Sequence, residues 1–217
     1  MKTFKLEASP REEVGRKASK ILRKQGLIPA VLYGQMPIEL PYQGTLNAGE
    51  KIVEISNQKG IIVTDFTVSL DGLRKLIYTP EIYVVDIDIK GSKQVKAIVK
   101  DSQYHPVTDV ILHIDFLEVF EDKPVVMEVP LVLEGHAAGV KAGGKLNQSM
   151  RKLKVRGLAS DIPEILTVNV EHLELGKVIK VGELQFENIE LVNPKNAVVC
   201  IVKMTRASQS AAAAAGK

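Results

Sequence analysis

The chain contains no tryptophan and a single cysteine, and long apolar runs are missing from it. One thiol excludes an intramolecular disulfide. Cys200 lies within the apolar run 198–202, a setting that disfavours a thiolate and predicts a packing role. No stretch approaches the ~18 apolar residues that span a bilayer, and residues 1–15 lack the apolar core of a secretion signal. We therefore expect a soluble, cytoplasmic protein with no membrane partner.

The composition favours β structure. Val and Ile occur in short runs bounded by Gly, Pro, Asn and Asp, within a chain of 217 residues that is 45% hydrophobic. We predict a mainly β protein with a few helices (α+β) and two domains, because one domain usually holds about 100–150 residues. A polar, proline-terminated joint at 121–124 separates residues 1–120 from 121–204, and 205–217 form a flexible, alanine-rich tail.

Alternation and turn residues predict the individual elements. In the first domain, strands are expected at 3–8, 30–32, 61–70 and 110–119, with a hairpin 82–89/93–100 around Gly91 and Ser92, and a short helix at 71–78. Turns are expected at 9–10, 34 and 101–106, and the irregular segment 35–60 is expected to hold a hairpin formed by 38–43 and 52–56. In the second domain, strands are expected at 125–133, 152–158, 165–170 and 197–204.

Residues 11–26 predict a cationic amphipathic helix. An apolar stripe recurs at the helical period, comprising Val14, Ala18, Ile21 and Leu22. Basic residues follow on a neighbouring face, comprising Arg16, Lys17, Lys20, Arg23 and Lys24. Gly26 is placed to end the helix in a left-handed conformation, and Pro29 prevents its resumption.

Charge is clustered rather than spread through the first domain. Residues 11–24 hold six basic and two acidic side chains, whereas the rest of 1–120 holds ten basic and thirteen acidic ones. Such a cluster is typical of a surface that binds a phosphate backbone, and a solvated helix kept for solubility is the competing interpretation. Tyr33, which follows an apolar strand, is either a core aromatic or a residue that stacks on RNA or contacts it through its hydroxyl. Arg11 and Arg23 differ from the lysines because a guanidinium can form two bonds to one phosphate.

His113 and Asp115 lie two residues apart, so they point to the same side of the predicted strand. A carboxylate that fixes one imidazole nitrogen leaves the other nitrogen for a partner. A structural, a binding and a catalytic pair all remain open. Zinc normally takes three or four protein ligands, and the other histidines show no matching spacing.

A glycine-rich segment, residues 139–145, follows the pattern G-x-x-x-x-G-K of a phosphate loop. Leu146 stands where Ser or Thr would contact magnesium, and no convincing helix follows. A glycine turn between strands is the better interpretation.

Three separated motifs resemble one family. Residues 11–34 resemble the opening signature of the bacterial large-subunit ribosomal protein that binds 5S rRNA, and residues 100–106 with 113–116 resemble the motif that closes its domain. Residues 135–146, 161–164 and 173–176 resemble the second domain of its longer form, the general stress protein CTC type.

The resemblance implies a small N-terminal β-barrel with helices that docks on 5S rRNA, followed by a second mainly β domain. It assigns RNA binding to Arg11, Arg23, Tyr33, His113 and Asp115, with Lys17 and Gln103 as weaker members. Arg16 and Lys20 of the basic face complete our predicted set. Residues 37–63 form a longer link than the family pattern has, which leaves their role open.

The combined expectation is a structural ribosomal protein, without catalysis, cofactor, metal or small-molecule substrate. Its partners would be 5S rRNA and neighbouring large-subunit proteins and rRNA. A tRNA-binding module is the first alternative, and a hydrolase using His113 and Asp115 is the second.

Overall fold

The structure is a computed structural model that describes residues 2–39, 42, 44–56, 59–90 and 94–205. The chain divides into two compact units, residues 1–123 and 124–217. The elements of the first unit are β1 (Lys2–Pro10), α1 (Arg16–Lys24), β2 (Leu27–Glu39), β3 (Glu50–Ser56), β4 (Lys59–Ser69), α2 (Leu70–Ile77), β5 (Tyr83–Ile89), β6 (Gln94–Tyr104) and β7 (Ile111–Glu118).

Within the described residues, six strands of the first unit close a barrel in the order β1-β5-β6-β7-β2-β4, and β4 pairs back onto β1. Two pairings are parallel, β1 with β5 and β2 with β7. Alternating apolar side chains fill the interior. Phe66 and Phe116 are fully buried, with their ring centroids 5.8 Å apart, and Leu73 of α2 packs into the same core. The expected small β-barrel is therefore confirmed.

β4 has different neighbours along its length. Its C-terminal part, from Phe66 to Val68, pairs with β1, whereas its N-terminal part pairs with β3. The change occurs at Asp65, whose carbonyl accepts from the amide of Arg11 and whose amide donates to the carbonyl of Gly49. β3 therefore extends the sheet beside the barrel.

The second unit contains two small sheets in its described part. The four-stranded sheet has the order β11-β8-β10-β13, and the three-stranded sheet has the order β12-β14-β9. The elements are β8 (Val125–Glu134), α3 (Ala138–Lys141), β9 (Lys145–Gln148), β10 (Lys152–Gly157), β11 (Leu166–Asn169), β12 (Val178–Lys180), a 3₁₀ turn (Val181–Glu183), β13 (Glu190–Leu191) and β14 (Val198–Lys203). Cys200 is fully buried on β14, as predicted, and this burial raises the pKa of its thiol.

Several sequence predictions are confirmed. The first strand, the helix after β4 and the antiparallel pairing of β5 with β6 are all present. Val85, Ile87 and Ile89 are buried, as the alternation of β5 predicts. The expected turn at Gly91 and Ser92 lies outside the described residues, as does nearly all of the expected tail.

The predicted turns at 9–10, 34 and 101–106 are wrong in their positions. β1 continues through Pro10, and β6 continues to Tyr104 with an irregularity after Val99. β2 runs on to Glu39, with a break in register between Tyr33 and Pro37. The break in register lets β2 tolerate Gly34 and Pro37, so these residues do not end the strand.

The predicted hairpin of 38–43 with 52–56 is also wrong. Ile38 and Glu39 of β2 pair with one edge of β4, and β3 pairs with the opposite edge. The described strands between Gly34 and Phe66 thus belong to a three-stranded sheet, β2-β4-β3, rather than to an irregular link. Residues 40, 41 and 43 of that predicted hairpin lie outside the described part of the chain.

Candidate nucleic-acid interface

Helix α1 presents cations to solvent. Arg16, Lys17 and Lys20 are exposed, and none of them is paired with a carboxylate among the residues that the structure describes. Arg16, Lys20 and Arg23 follow one face at spacings of four and three. At 1.5 Å per residue, this row of charge is about 10 Å long.

The apolar stripe of α1 is not buried, although such a stripe ordinarily faces a core. Val14 is 65% exposed and precedes the helix, Ile21 is 57% exposed, and no residue of α1 is buried. Ala18 and Leu22 line an open groove of ≈ 430 Å³ between the helix and Thr67 of β4. Packing alone therefore does not hold α1 against the barrel.

Polar contacts fix the first turn of α1. Arg11 donates from Nη2 to Oγ of Ser19 at 2.9 Å and from Nε to the carbonyl of Glu13 at 2.7 Å. Ser19 in turn donates to the carbonyl of Gly15 at 2.8 Å. In the structure the half-buried guanidinium of Arg11 uses two of its five N–H groups in these contacts, and its role as an RNA ligand stays a prediction.

The last turn of α1 is fixed to β7. Nε of Arg23 donates to the carbonyl of Leu112 at 3.0 Å, next to His113. Gly26 adopts a φ of +77°, as the sequence predicted for the end of the helix, and its carbonyl accepts from the amide of Leu70. These contacts bring the end of the cationic row to the strand that carries the His/Asp pair.

Tyr33, His113 and Asp115 share the outer face of the barrel. Asp115 is the register partner of Val31, and Tyr33 follows two residues later on β2, so it points to the same side. Gln103 of β6 lies opposite His113. The structure therefore gathers the predicted strand residues with Arg23. We call this set, together with Arg16, Lys17 and Lys20, the α1–Tyr33 surface.

The His113–Asp115 pair is close but not an aligned hydrogen bond. Nδ1 of His113 lies 3.1 Å from Oδ1 of Asp115, and the two side chains are 24% and 18% exposed. Oδ1 is buried and accepts no hydrogen bond from any described residue. A buried acceptor without a donor is uncommon and marks a candidate functional position. With Nδ1 facing the carboxylate, Nε2 is the nitrogen left for a partner.

Further charges surround Tyr33. Nζ of Lys100 lies 5.1 Å from the ring centroid, and Lys51 forms an ion pair of 2.6 Å with the buried Asp65. Burial, then the carboxylate of Asp115, raises the pKa of Tyr33; Lys51 lowers it and Asp65 raises it. The hydroxyl is thus a protonated donor at neutral pH.

The sequence analysis did not select Lys51, Asp65 or Lys100. Lys100 lies within the motif that carried the family resemblance, and nothing else in the sequence indicated that it belongs to the site. Lys51 and Asp65 gave no signal, because the strand that carries Lys51 was assigned to the wrong partner.

The other candidate sites do not form. Every backbone amide from Ala138 to Gly144 donates to a carbonyl of the chain, so the glycine-rich segment offers no cradle for a phosphate. Among the described residues there is no group of three or more His, Cys, Asp or Glu that could hold a metal ion. No helix in the described part of the chain is long and apolar enough to cross a membrane.

Comparison with known proteins covers nearly the whole chain. A family model described as the Ribosomal L25p family matches residues 6–116, and one described as the C-terminal domain of ribosomal protein TL5 matches residues 124–206. The chain is 54% identical over 212 residues to the large ribosomal subunit protein bL25 of Porphyromonas gingivalis, covering 98% of both chains. It is 55% identical over 218 residues to the bL25 of Parabacteroides distasonis, covering 98% of this chain and 99% of that one.

Fold and similarity together define the class of this molecule as a two-domain structural ribosomal protein, not an enzyme. A barrel that carries an exposed cationic helix, with a second mainly β unit behind it in sequence, agrees with that class. The chain belongs to the ribosomal L25p family, in the longer form that carries the TL5-type C-terminal domain. The resemblance found in the sequence motifs is thereby confirmed.

Proposed function

We propose that this protein is a structural constituent of the large ribosomal subunit, in the cytoplasm, and that it binds 5S rRNA through the α1–Tyr33 surface. The observation that supports this most strongly is the bond from Arg23 to the carbonyl of Leu112, at 3.0 Å. It joins the exposed cationic row of α1 to the strand that carries His113 and Asp115. A single surface therefore offers both charge and shape-specific groups.

The cationic row supplies affinity. Arg16, Lys17, Lys20 and Arg23 are exposed, so each can neutralise a phosphate and release counterions. Phosphate contacts of this kind fix the position of a protein on RNA without reading its sequence. Arg11 holds the first turn of α1 in place, and its remaining N–H groups are available for the predicted RNA contact.

The strand residues supply selectivity. The wide, shallow minor groove of an RNA helix exposes 2′-hydroxyls, and proteins recognise it through shape and hydrogen bonds. Tyr33 offers a hydroxyl donor, Gln103 an amide, and His113 the Nε2 atom of a ring that faces Asp115. One side of the tyrosine ring is occupied by the Lys100 ammonium, which favours contact through the hydroxyl over base stacking.

The two domains are expected to differ in function. We assign RNA binding to residues 1–120, which contain the whole α1–Tyr33 surface, and we regard residues 121–204 as a separate domain. The further partners of the protein are the neighbouring proteins and rRNA of the large subunit.

The test is a binding titration of the full-length protein with 5S rRNA at several salt concentrations, with tRNA as competitor. Each phosphate contact should add about 0.7–0.9 to the slope of log affinity against log salt. Arg23→Ala should weaken binding, whereas the matched Arg156→Ala on β10 should not. A salt-independent complex, equal effects of the two variants, or equally tight binding of tRNA would contradict the proposal.

A further inference from the structure

The sheet extension β2-β4-β3 places one more cation beside Tyr33. Lys51 of β3 is the register partner of Val63, and Val63 is the register partner of Tyr33. Side chains of directly paired residues lie on the same face of a sheet. Lys51 therefore lies two strands from Tyr33, with β4 between them, on the tyrosine's side of the sheet.

The position of Lys51 is fixed by the backbone around it. The carbonyl of Gly49 accepts from the amide of Asp65 at 2.8 Å, and the amide of Arg11 donates to the carbonyl of the same aspartate at 3.0 Å. Gly49 has a φ of +82°, and a Cβ there would lie 2.6 Å from the Asp65 carbonyl oxygen. Asp65 thus connects the start of β3 to the segment that precedes α1 through backbone hydrogen bonds.

The side chain of Lys51 is oriented and still accessible. Nζ of Lys51 lies 2.6 Å from Oδ2 of Asp65, and the two side chains are 52% and 9% exposed. An ammonium has three N–H donors. One N–H group of Lys51 donates to the carboxylate of Asp65, so two N–H groups remain on the solvent side.

We propose that Lys51 belongs to the RNA-binding surface and contacts a phosphate beside Tyr33, which gives the segment 37–63 a direct part in binding. The inference rests on the proposed function and extends it to a strand outside the cationic helix. Lys100 stands over the ring of the same tyrosine, 5.1 Å from its centroid. Ammonium groups on β3 and β6 thus approach Tyr33 from two different strands.

A purely structural role for Lys51 makes a different prediction. Asp65 is buried, and removal of its partner would leave an unpaired charge that destabilises the fold. The same aspartate would then also repel RNA. A loss of binding in Lys51→Gln alone would not separate these effects from a lost phosphate contact.

The decisive experiment compares Asp65→Asn with the double variant Lys51→Gln/Asp65→Asn, in which no charge is left unpaired. Binding of the full-length protein to 5S rRNA is measured across salt concentrations, and thermal unfolding verifies the fold of each variant. If Lys51 contacts a phosphate, the double variant should bind about fivefold more weakly than Asp65→Asn at 0.1 M salt, with a slope smaller by about 0.7–0.9. Lys51→Arg should retain the slope.

Equal affinities and slopes of Asp65→Asn and the double variant would overturn the inference and leave Lys51 as the counter-ion of Asp65. Lys203→Gln on β14 is the matched control and should change neither quantity. Failure of the proposed function is distinguishable, because the wild-type protein would then not bind 5S rRNA selectively. Weakening by Arg23→Ala, without any difference between the two Asp65 variants, would refute the role of Lys51 alone.

Discussion

The role of Arg11 can be separated from simple phosphate binding by a double-mutant cycle with Ser19. Nη2 of Arg11 donates to Oγ of Ser19 at 2.9 Å, and this bond joins the segment before α1 to the helix itself. A hydrogen bond to a charged group contributes about 1.5–3 kcal/mol, and a partly exposed one less. Since the pair is only partly buried, we expect a coupling energy of about 1 kcal/mol between Arg11→Ala and Ser19→Ala.

The assay is hydrogen exchange of the amides of α1 in the free protein. The helix buries no residue, so it should open locally before the barrel unfolds. With a coupling of about 1 kcal/mol, the double variant should destabilise the helix by less than the sum of the two single variants. Its α1 amides should therefore exchange roughly fivefold more slowly than independent effects of the two substitutions would predict. The amides of β5, which lie in the barrel, serve as the internal control and should keep their exchange rates.

The same variants also discriminate between the two roles in RNA binding. Ser19→Ala removes no charge, yet it should weaken binding because α1 is then held less firmly, and the salt slope should stay unchanged. Additive effects on exchange, together with unchanged RNA affinity of Ser19→Ala, would refute the positioning role. Arg11 would then be a phosphate ligand only.

The remaining predictions concern Tyr33 and two glycines. Tyr33→Phe should weaken RNA binding without changing the salt slope, because it removes a hydroxyl donor and no charge; an unchanged affinity would argue for stacking instead. Burial and Asp115 raise the pKa of Tyr33, so the folded state holds this proton more firmly than the unfolded state does. The resulting contribution to stability should be complete below the ordinary tyrosine pKa of about 10 and disappear as the pH rises through the higher folded value, which denaturant titrations of the wild type and Tyr33→Phe can follow. Gly26→Ala should cost only about 1 kcal/mol, since its φ of +77° is strained for alanine but nothing lies within 4 Å of a Cβ. Gly49→Ala should cost more, because its Cβ would also meet the Asp65 carbonyl oxygen at 2.6 Å; equal unfolding free energies of the two variants would contradict this ranking.

Local periodicity predicted most of the strands and part of the site. Alternation identified β5 with its buried Val85 and Ile87, and it placed His113 and Asp115 on one face. Each of these conclusions requires only that side chains alternate along an extended chain. The glycine that ends α1 was equally predictable, because a left-handed residue is commonly needed there.

Strand pairing could not be predicted in the same way. The sequence of β3 is compatible with pairing to several strands. The choice of β4 depends on contacts such as the hydrogen bond from the amide of Asp65 to the carbonyl of Gly49, which no local pattern contains. Pro37 and Gly34 resembled turn residues, although a break in register lets β2 continue past them. Lys51 and Asp65 were missed for this reason, since their meeting depends on the pairing.

The amphipathic pattern of α1 predicted its helical conformation but not its packing. An apolar stripe indicates a preferred side, whereas burial depends on what the barrel offers to that side, and here it offers an open groove. The helix is held instead at both ends by arginines, Arg11 through Ser19 and Arg23 through the carbonyl of Leu112. A guanidinium suits this position because its five N–H donors can satisfy an internal acceptor and still present others outwards. Replacement of either arginine by lysine would keep the charge of the surface and lose this double use, so charge alone does not account for arginine at these two positions.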